Sequence, residues 1–151
     1  MSFIVEKDSG LIPQVLSAIL DECVNGVTLA DPDLEDAPIV YANKAFERLT
    51  GYSQEEIIGF NCRFLQGEDR EQAGRFIISE AMIKHEGVEV TLRNYKKDGS
   101  LFHNRLKITP LFDKKMRIIY YLGVQYDITN QVNSNNEIKE LTDLLNAINS
   151  K

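Results

Sequence analysis

Cysteine is scarce in this chain: there are two, Cys23 and Cys62. Two thiols 39 positions apart (62 minus 23) form no disulfide framework and no CxxC metal site, so they stand as separate groups. Positive charge is short as well. Seventeen lysines and arginines face 23 aspartates and glutamates, a formal net charge of −6 that opposes the phosphate-neutralising surface a nucleic-acid binder needs. A helix-turn-helix pattern and a basic arm are also missing, and direct nucleic-acid binding is not expected. No apolar run approaches membrane-spanning length, which excludes a spanning helix. Met1 to Gly10 holds two acidic residues and no basic run ahead of an apolar stretch, so the expected compartment is the cytoplasm. Asp31-Pro32-Asp33 lacks the glycine and closing glutamate of an EF-hand loop, and no metal site is expected. Internal repeats and low-complexity segments are lacking too.

What is present suits one ordinary domain. At 151 residues, 43% hydrophobic and 26% charged, the chain has material for a real core and short extensions, but not for a second catalytic domain. Leu11, Val15, Ile19 and Cys23 recur at helical spacing, predicting an amphipathic helix over Leu11 to Val24 that stops at Gly26. Gly26 to Ala30 and Pro38 to Ala42 read as short strands. Asn43 caps a helix through Leu49, and Ser53 with Glu56 makes a capping-box pattern for the next, ending at Gly59. A longer helix is expected from Asp69 to near Gly87, with Ala73, Phe76, Ile77 and Ala81 on one face. Strands follow at Val88 to Lys96, Ser100 to Leu111 and Arg117 to Asp127, the first two joined by Lys97-Asp98-Gly99. This order predicts an α+β domain with a five-stranded antiparallel sheet. The expected divisions are an N-terminal helical extension at 1–25, a core at 26–129 and a C-terminal helix at 130–151.

Strand phase carries a chemical signal. Alternate residues share a face, so Asn94 falls with Val88, Val90 and Leu92, Asn104 with Phe102, Leu106 and Ile108, and Gln125 with Ile119, Tyr121 and Gly123. Each apolar row carries one amide. An unpartnered buried amide costs about 1–3 kcal/mol, so three of them ask either for mutual pairing or for a ligand. The matching ligand is flat, apolar over most of its area and edged with donors and acceptors, as a flavin is. Leu92, Phe102 and Leu106 would then be apolar walls, or ordinary core residues if the amides pair with each other, and Gly123 would let a ring approach its strand.

The run Asn61-Cys62-Arg63-Phe64-Leu65-Gln66-Gly67 resembles the photoactive signature of LOV domains, the flavin-binding blue-light sensors of the PAS superfamily, and matches it throughout. The resemblance covers roughly Val24 to Thr129 and is nearest to short bacterial LOV photoreceptors. It implies a PAS fold and FMN as cofactor, with Cys62 forming a reversible photochemical adduct. By the same resemblance Asn94 and Asn104 bind the flavin's pyrimidine edge, Gln125 faces its reactive ring nitrogen, and Asn61 and Gln66 add polar contacts. Arg63 approaches the phosphate, and Arg70 and Arg75 resemble additional phosphate-binding arginines. Ser79 departs from the pattern where a further arginine is common, as do Phe60, His103 and Arg105; His103 and Arg105 are out of phase with the amide row. Glu56 and Lys97 match a family ion pair.

The expected function is blue-light photoreception by a non-enzymatic sensor that signals through Gln125 and the terminal helices. A PAS module for another small molecule or protein, and a thiol or flavin redox sensor, remain as alternatives. Ile138, Leu141, Leu145 and Ile148 form a short apolar seam, so a homodimer through the terminal helices and the outer sheet face at Ile118, Tyr120 and Leu122 is expected, besides a downstream partner that the sequence does not name.

Overall fold

Asn43 shows how the chain is locked together. Its side-chain oxygen accepts from Phe46 N at 3.0 Å, capping the next helix, and from Val27 N at 2.8 Å in the first strand. One buried amide thereby fixes a helix start and a strand position and satisfies a backbone donor in each. The computed structural model describes residue 18 and residues 20–149. Most of the helix expected over Leu11 to Val24 lies outside the described residues.

The order is β1 (Gly26–Ala30), β2 (Ile39–Ala42), α1 (Lys44–Thr50), α2 (Gln54–Ile57), a 3-10 helix (Cys62–Gln66), α3 (Ala73–Lys84), β3 (Val88–Tyr95), β4 (Leu101–Phe112), β5 (Ile118–Asp127) and α4 (Thr129–Asn149). The strands form one antiparallel sheet in the spatial order β2-β1-β5-β4-β3, as the α+β reading expects. The first and last strands of the domain therefore meet at its centre, with Thr28 opposite Gly123 and Gly26 opposite Gln125. The short helices and α3 pack on one face. Their apolar residues fall in two groups, one around Ile39, Phe46, Ile57 and Leu65 and one around Val90, Leu92, Leu106 and Ile108.

Three expectations need correction. The long helix begins at Ala73, not Asp69, because the intervening side chains are committed to the sheet: Asp69 pairs with Arg93, and Gln72 bonds the Arg93 backbone. Its inward face is also rotated from the expected one. Phe76 and Ile77 are exposed, whereas Gly74 and Ala81 are buried and Ile78 and Met82 pack on the sheet. Gly74 sets that rotation, since a Cβ there would lie 2.8 Å from Leu92 Cδ2 and 3.1 Å from the Thr91 carbonyl. Gly26, read both as a helix stop and as the start of the first strand, serves only as the latter: it opens β1 as expected, and a Cβ there would meet Phe46 at 3.1 Å. The capping box of Ser53 and Glu56 forms as expected.

Among the described residues, no helix is long and apolar enough to cross a membrane, and no cluster of histidine, cysteine and acidic side chains is arranged to hold a metal.

Candidate functional site

The 3-10 helix owes its position to Asn61. As N-cap, Asn61 accepts from Arg63 N at 3.0 Å through Oδ1, while its Nδ2 donates to the Asp36 carbonyl at 2.8 Å. Cys62 follows as the first residue of the helix and is half-buried. Burial pushes the Cys62 thiol up from its ordinary range, with the Arg63 charge opposing, so the group is a neutral thiol at pH 7.

A cavity of about 480 Å³ opens between this helix, α3 and the sheet. That volume suits a cofactor-sized ligand. Cys62 and Gln66 line it from the 3-10 helix, Ile78 and Met82 from α3, and Leu92, Asn94, Asn104, Leu106 and Gln125 from the sheet. A second space of about 230 Å³ shares Cys62 and Gln125 with the first and continues toward Thr28, Tyr121 and Gly123. The structure thus brings most of the sequence-predicted residues to one place. Phe102 is buried but does not line either space.

The amides are only partly satisfied. Asn104 Nδ2 donates to Asn94 Oδ1 at 3.0 Å, Asn94 Nδ2 donates to the Arg93 carbonyl at 3.0 Å, and Gln125 Nε2 donates to Thr28 Oγ1 at 3.3 Å. Left over, with no partner among the described residues, are Gln66 Oε1, Asn104 Oδ1 and Gln125 Oε1, all buried and all belonging to residues that line the cavity. Three such atoms at about 1–3 kcal/mol each are too costly to scatter through a core without purpose. Because an amide can turn end for end, each free position can present a donor or an acceptor. With Leu92, Leu106, Ile78 and Leu65 as apolar walls, this donor set fits a flat ring system with a polar edge.

Gly123 acts differently from expectation. A Cβ at this position would lie 2.6 Å from Thr28 Oγ1 and 3.0 Å from Gln125 Nε2, so the glycine makes room for the Thr28–Gln125 pair as well as lining the second space. Thr28 was not singled out in the sequence. Only the β1–β5 register places it beside Gln125, and no local pattern signals that pairing.

The three arginines separate. Arg63 and Arg75 line the cavity, whereas Arg70 turns to the loop and donates through Nε to the Gly67 carbonyl at 2.7 Å. Arg75 donates to the Arg70 carbonyl at 3.1 Å and stacks over Phe76. Arg63 is ion-paired with Asp36. The loop that carries these groups is fastened to β3 by two further devices that sequence reading missed. Asp69 takes a two-point contact from Arg93 at 2.7 and 2.8 Å and a bond from Tyr95 Oη at 2.7 Å, and the Arg93 and Tyr95 hydrogen bonds hold its carboxyl at about 2. Gln72 clasps the Arg93 backbone, accepting from its N–H at 2.7 Å and donating to its carbonyl at 2.9 Å. Away from the cavity, Lys97 pairs with Glu56 at 2.9 Å, and Arg105 pairs with Glu89 on the opposite face of the sheet, as its phase predicts.

A PAS domain family model matches residues 24–130. The solved LOV domain of a blue-light activated histidine kinase from Erythrobacter litoralis superimposes with a TM-score of 0.67 at 39% identity, covering 72% of this chain and 99% of that one. The chain belongs to the LOV branch of the PAS superfamily. This LOV domain is also similar to the structure of an RNA-binding light-oxygen-voltage receptor, with a TM-score of 0.80 and 34% identity over 97% of this chain and 42% of that one. In sequence it is 39% identical over 120 residues to a blue-light photoreceptor of Listeria monocytogenes, covering 79% of this chain and 47% of that protein. The chain spans about half or less of the length of such relatives.

Proposed function

We propose that this LOV domain is a blue-light sensor that holds FMN in the cavity beside Cys62. The carrying observation is the set of three unpartnered amide oxygens on Gln66, Asn104 and Gln125, which surround the space that the Cys62 side chain lines. When bound, the flavin would supply the photochemistry, and Cys62 would supply the sulfur and the thiol proton for a reversible, light-driven bond to the ring. The protein's residues do the rest. Asn94 and Asn104 would orient the ring edge, Leu92 and Leu106 would keep water from its face, and Arg63 and Arg75 are the cavity-lining cations that would take a phosphate. Gln125 would turn either its amide N–H or its amide oxygen toward a ring nitrogen of the flavin, because a primary amide presents a donor or an acceptor according to its rotation. An absorption spectrum before and after blue light tests the whole reading. A yellow protein that bleaches and recovers in the dark supports it, and a colourless protein, or a yellow one inert to light, overturns it.

The route outward is short. β5 carries Gln125 and runs into α4 through Asp127, where Thr129 N donates to Asp127 Oδ1 at 3.0 Å and Thr129 Oγ1 accepts from His103 N at 2.9 Å. A shift at Gln125 is thereby passed to both β4 and the start of α4. Gln125→Leu keeps the size of the side chain and removes the switching hydrogen bond. The adduct should still form, while light-induced change in hydrogen exchange over residues 127–148 is largely lost; an undiminished response excludes Gln125 as the coupling group.

The output surface is α4. Ile138, Leu141, Leu145 and Ile148 are each about three-fifths exposed, so the apolar seam is not folded back on the sheet of its own domain. A second copy of the chain is the occupant this reading assigns to it. Leu141→Glu with Leu145→Glu should reduce the light-scattering mass in the dark from dimer to monomer, with flavin photochemistry intact. A wild-type monomer in both light and dark overturns the assembly alone.

A further inference from the structure

Arg63 stands at the cavity with its charge already engaged. Its guanidinium is ion-paired with the Asp36 carboxylate, which comes from the loop between β1 and β2. That loop is held in place independently of the pair. Asp36 and Ala37 adopt positive φ angles of 66° and 42°, a left-handed turn uncommon for residues other than glycine. Their carbonyls accept from Asn61 Nδ2 at 2.8 and 3.5 Å. The backbone of Asp36 is thus tied to the residue before Cys62, and its carboxylate to the residue after. The Arg63 hydrogen bond holds the Asp36 carboxyl below its ordinary range, so it is ionised at neutral pH. Arg75, the other cavity cation, differs in that its guanidinium donates to a backbone carbonyl.

We propose that Asp36 is a built-in competitor for Arg63 that sets how strongly the pocket prefers a flavin bearing a phosphate over one without it. The inference rests on the flavin reading of the cavity. A phosphate monoester carries roughly −1.5 to −2 charge at pH 7 and binds guanidinium through paired hydrogen bonds, so at Arg63 it competes with Asp36, either displacing the carboxylate or sharing the guanidinium with it. In either case the carboxylate remains close to the phosphate and repels it, because its loop is tethered through Asn61. Riboflavin has no phosphate and leaves the Arg63–Asp36 pair undisturbed. Asp36 therefore lowers affinity for FMN while leaving affinity for riboflavin alone.

The test is titration of flavin-free protein with FMN and with riboflavin, for wild type, Asp36→Asn and Arg63→Gln. Asparagine accepts a left-handed backbone and keeps the carbonyl that holds Asn61, so Asp36→Asn removes the charge and little else. FMN affinity in Asp36→Asn should rise about threefold, the scale of an exposed ion pair, with riboflavin affinity unchanged. In Arg63→Gln the preference for FMN over riboflavin should fall. Both side chains are half exposed, so neither variant removes core packing. An unchanged FMN-to-riboflavin ratio in Asp36→Asn overturns the proposal, and equal losses for both ligands identify Asp36 as a loop-holding residue instead. Failure of the flavin reading gives a different result, in which wild type binds neither flavin.

Discussion

Cys62→Ala should purify with flavin bound and show no light-driven bleaching at all. The sequence has two thiols, and only Cys62 lines the cavity, so no second thiol takes its place; the Met82 sulfur there is a thioether with no proton to give. Retention of the flavin follows from the division of labour within the site: the amides of Asn94, Asn104 and Gln125 come from the sheet, and the 3-10 helix is capped by Asn61, not by the cysteine. Trimming one half-buried sulfur costs about 1 kcal/mol or less of stability, far too little to unfold the domain. Fluorescence should rise, since excitation no longer drains into the sulfur–carbon bond. The variant is checked by recording absorbance during and after a blue-light pulse, with circular dichroism to confirm the fold. Bleaching and dark recovery like those of the wild type would falsify the assignment of Cys62.

Gly123→Ala should damage both stability and flavin binding. The added methyl would lie 2.6 Å from Thr28 Oγ1 and 3.0 Å from Gln125 Nε2, closer than non-bonded atoms approach. Both obstacles are side chains seated on strands in fixed register, with Thr28 directly opposite Gly123 and the pair at the middle of the sheet. Relief requires that Thr28 or Gln125 leave its rotamer or that β1 and β5 separate. Overpacking of this kind costs about 1–3 kcal/mol. Displacing Gln125 also removes one of the three sheet amides from the cavity, so flavin affinity should fall by roughly tenfold or more, the equivalent of about 1.4 kcal/mol. Thermal melting with and without added flavin, together with flavin occupancy after purification, measures both effects. A variant with wild-type melting and occupancy would show that Thr28 and Gln125 yield easily and that Gly123 has no special part in the pocket. Gly123→Ala combined with Thr28→Ala, which clears the nearest contact, should recover part of the stability but not the hydrogen bond that positions Gln125.

Much of this domain is written in short-range pattern. Strand alternation alone puts Asn94, Asn104 and Gln125 on the same side as their apolar neighbours, because a strand's faces repeat every two residues whatever it pairs with. The helix starts at Asn43 and Ser53 were legible for a similar reason, since a cap bonds backbone groups within three positions. The Asn61–Gly67 run indicated the thiol and its flavin chemistry through family resemblance, which the LOV match bears out at the level of the family.

Where contacts link distant parts of the chain, local pattern gave no guidance. The inward face of α3 was misread because apolar residues at Phe76 and Ile77 outweighed Gly74, whose importance comes from Leu92 and Thr91 on a strand that follows later. The Asp69–Arg93 clamp, the Gln72 clasp and the Asp36–Arg63 pair each join residues more than twenty positions apart. Thr28 and Gln125 are 97 positions apart and meet only because β1 lies between β2 and β5. By itself, then, the sequence determined which strand residues face inward, where the short helices start and which thiol neighbours the amides in chemistry. Only the tertiary structure decided which amide oxygens remain without partners, which arginines reach the cavity and which carboxylate one of them already holds, because those depend on strand order and loop closure, and neither is encoded in the spacing of neighbouring residues.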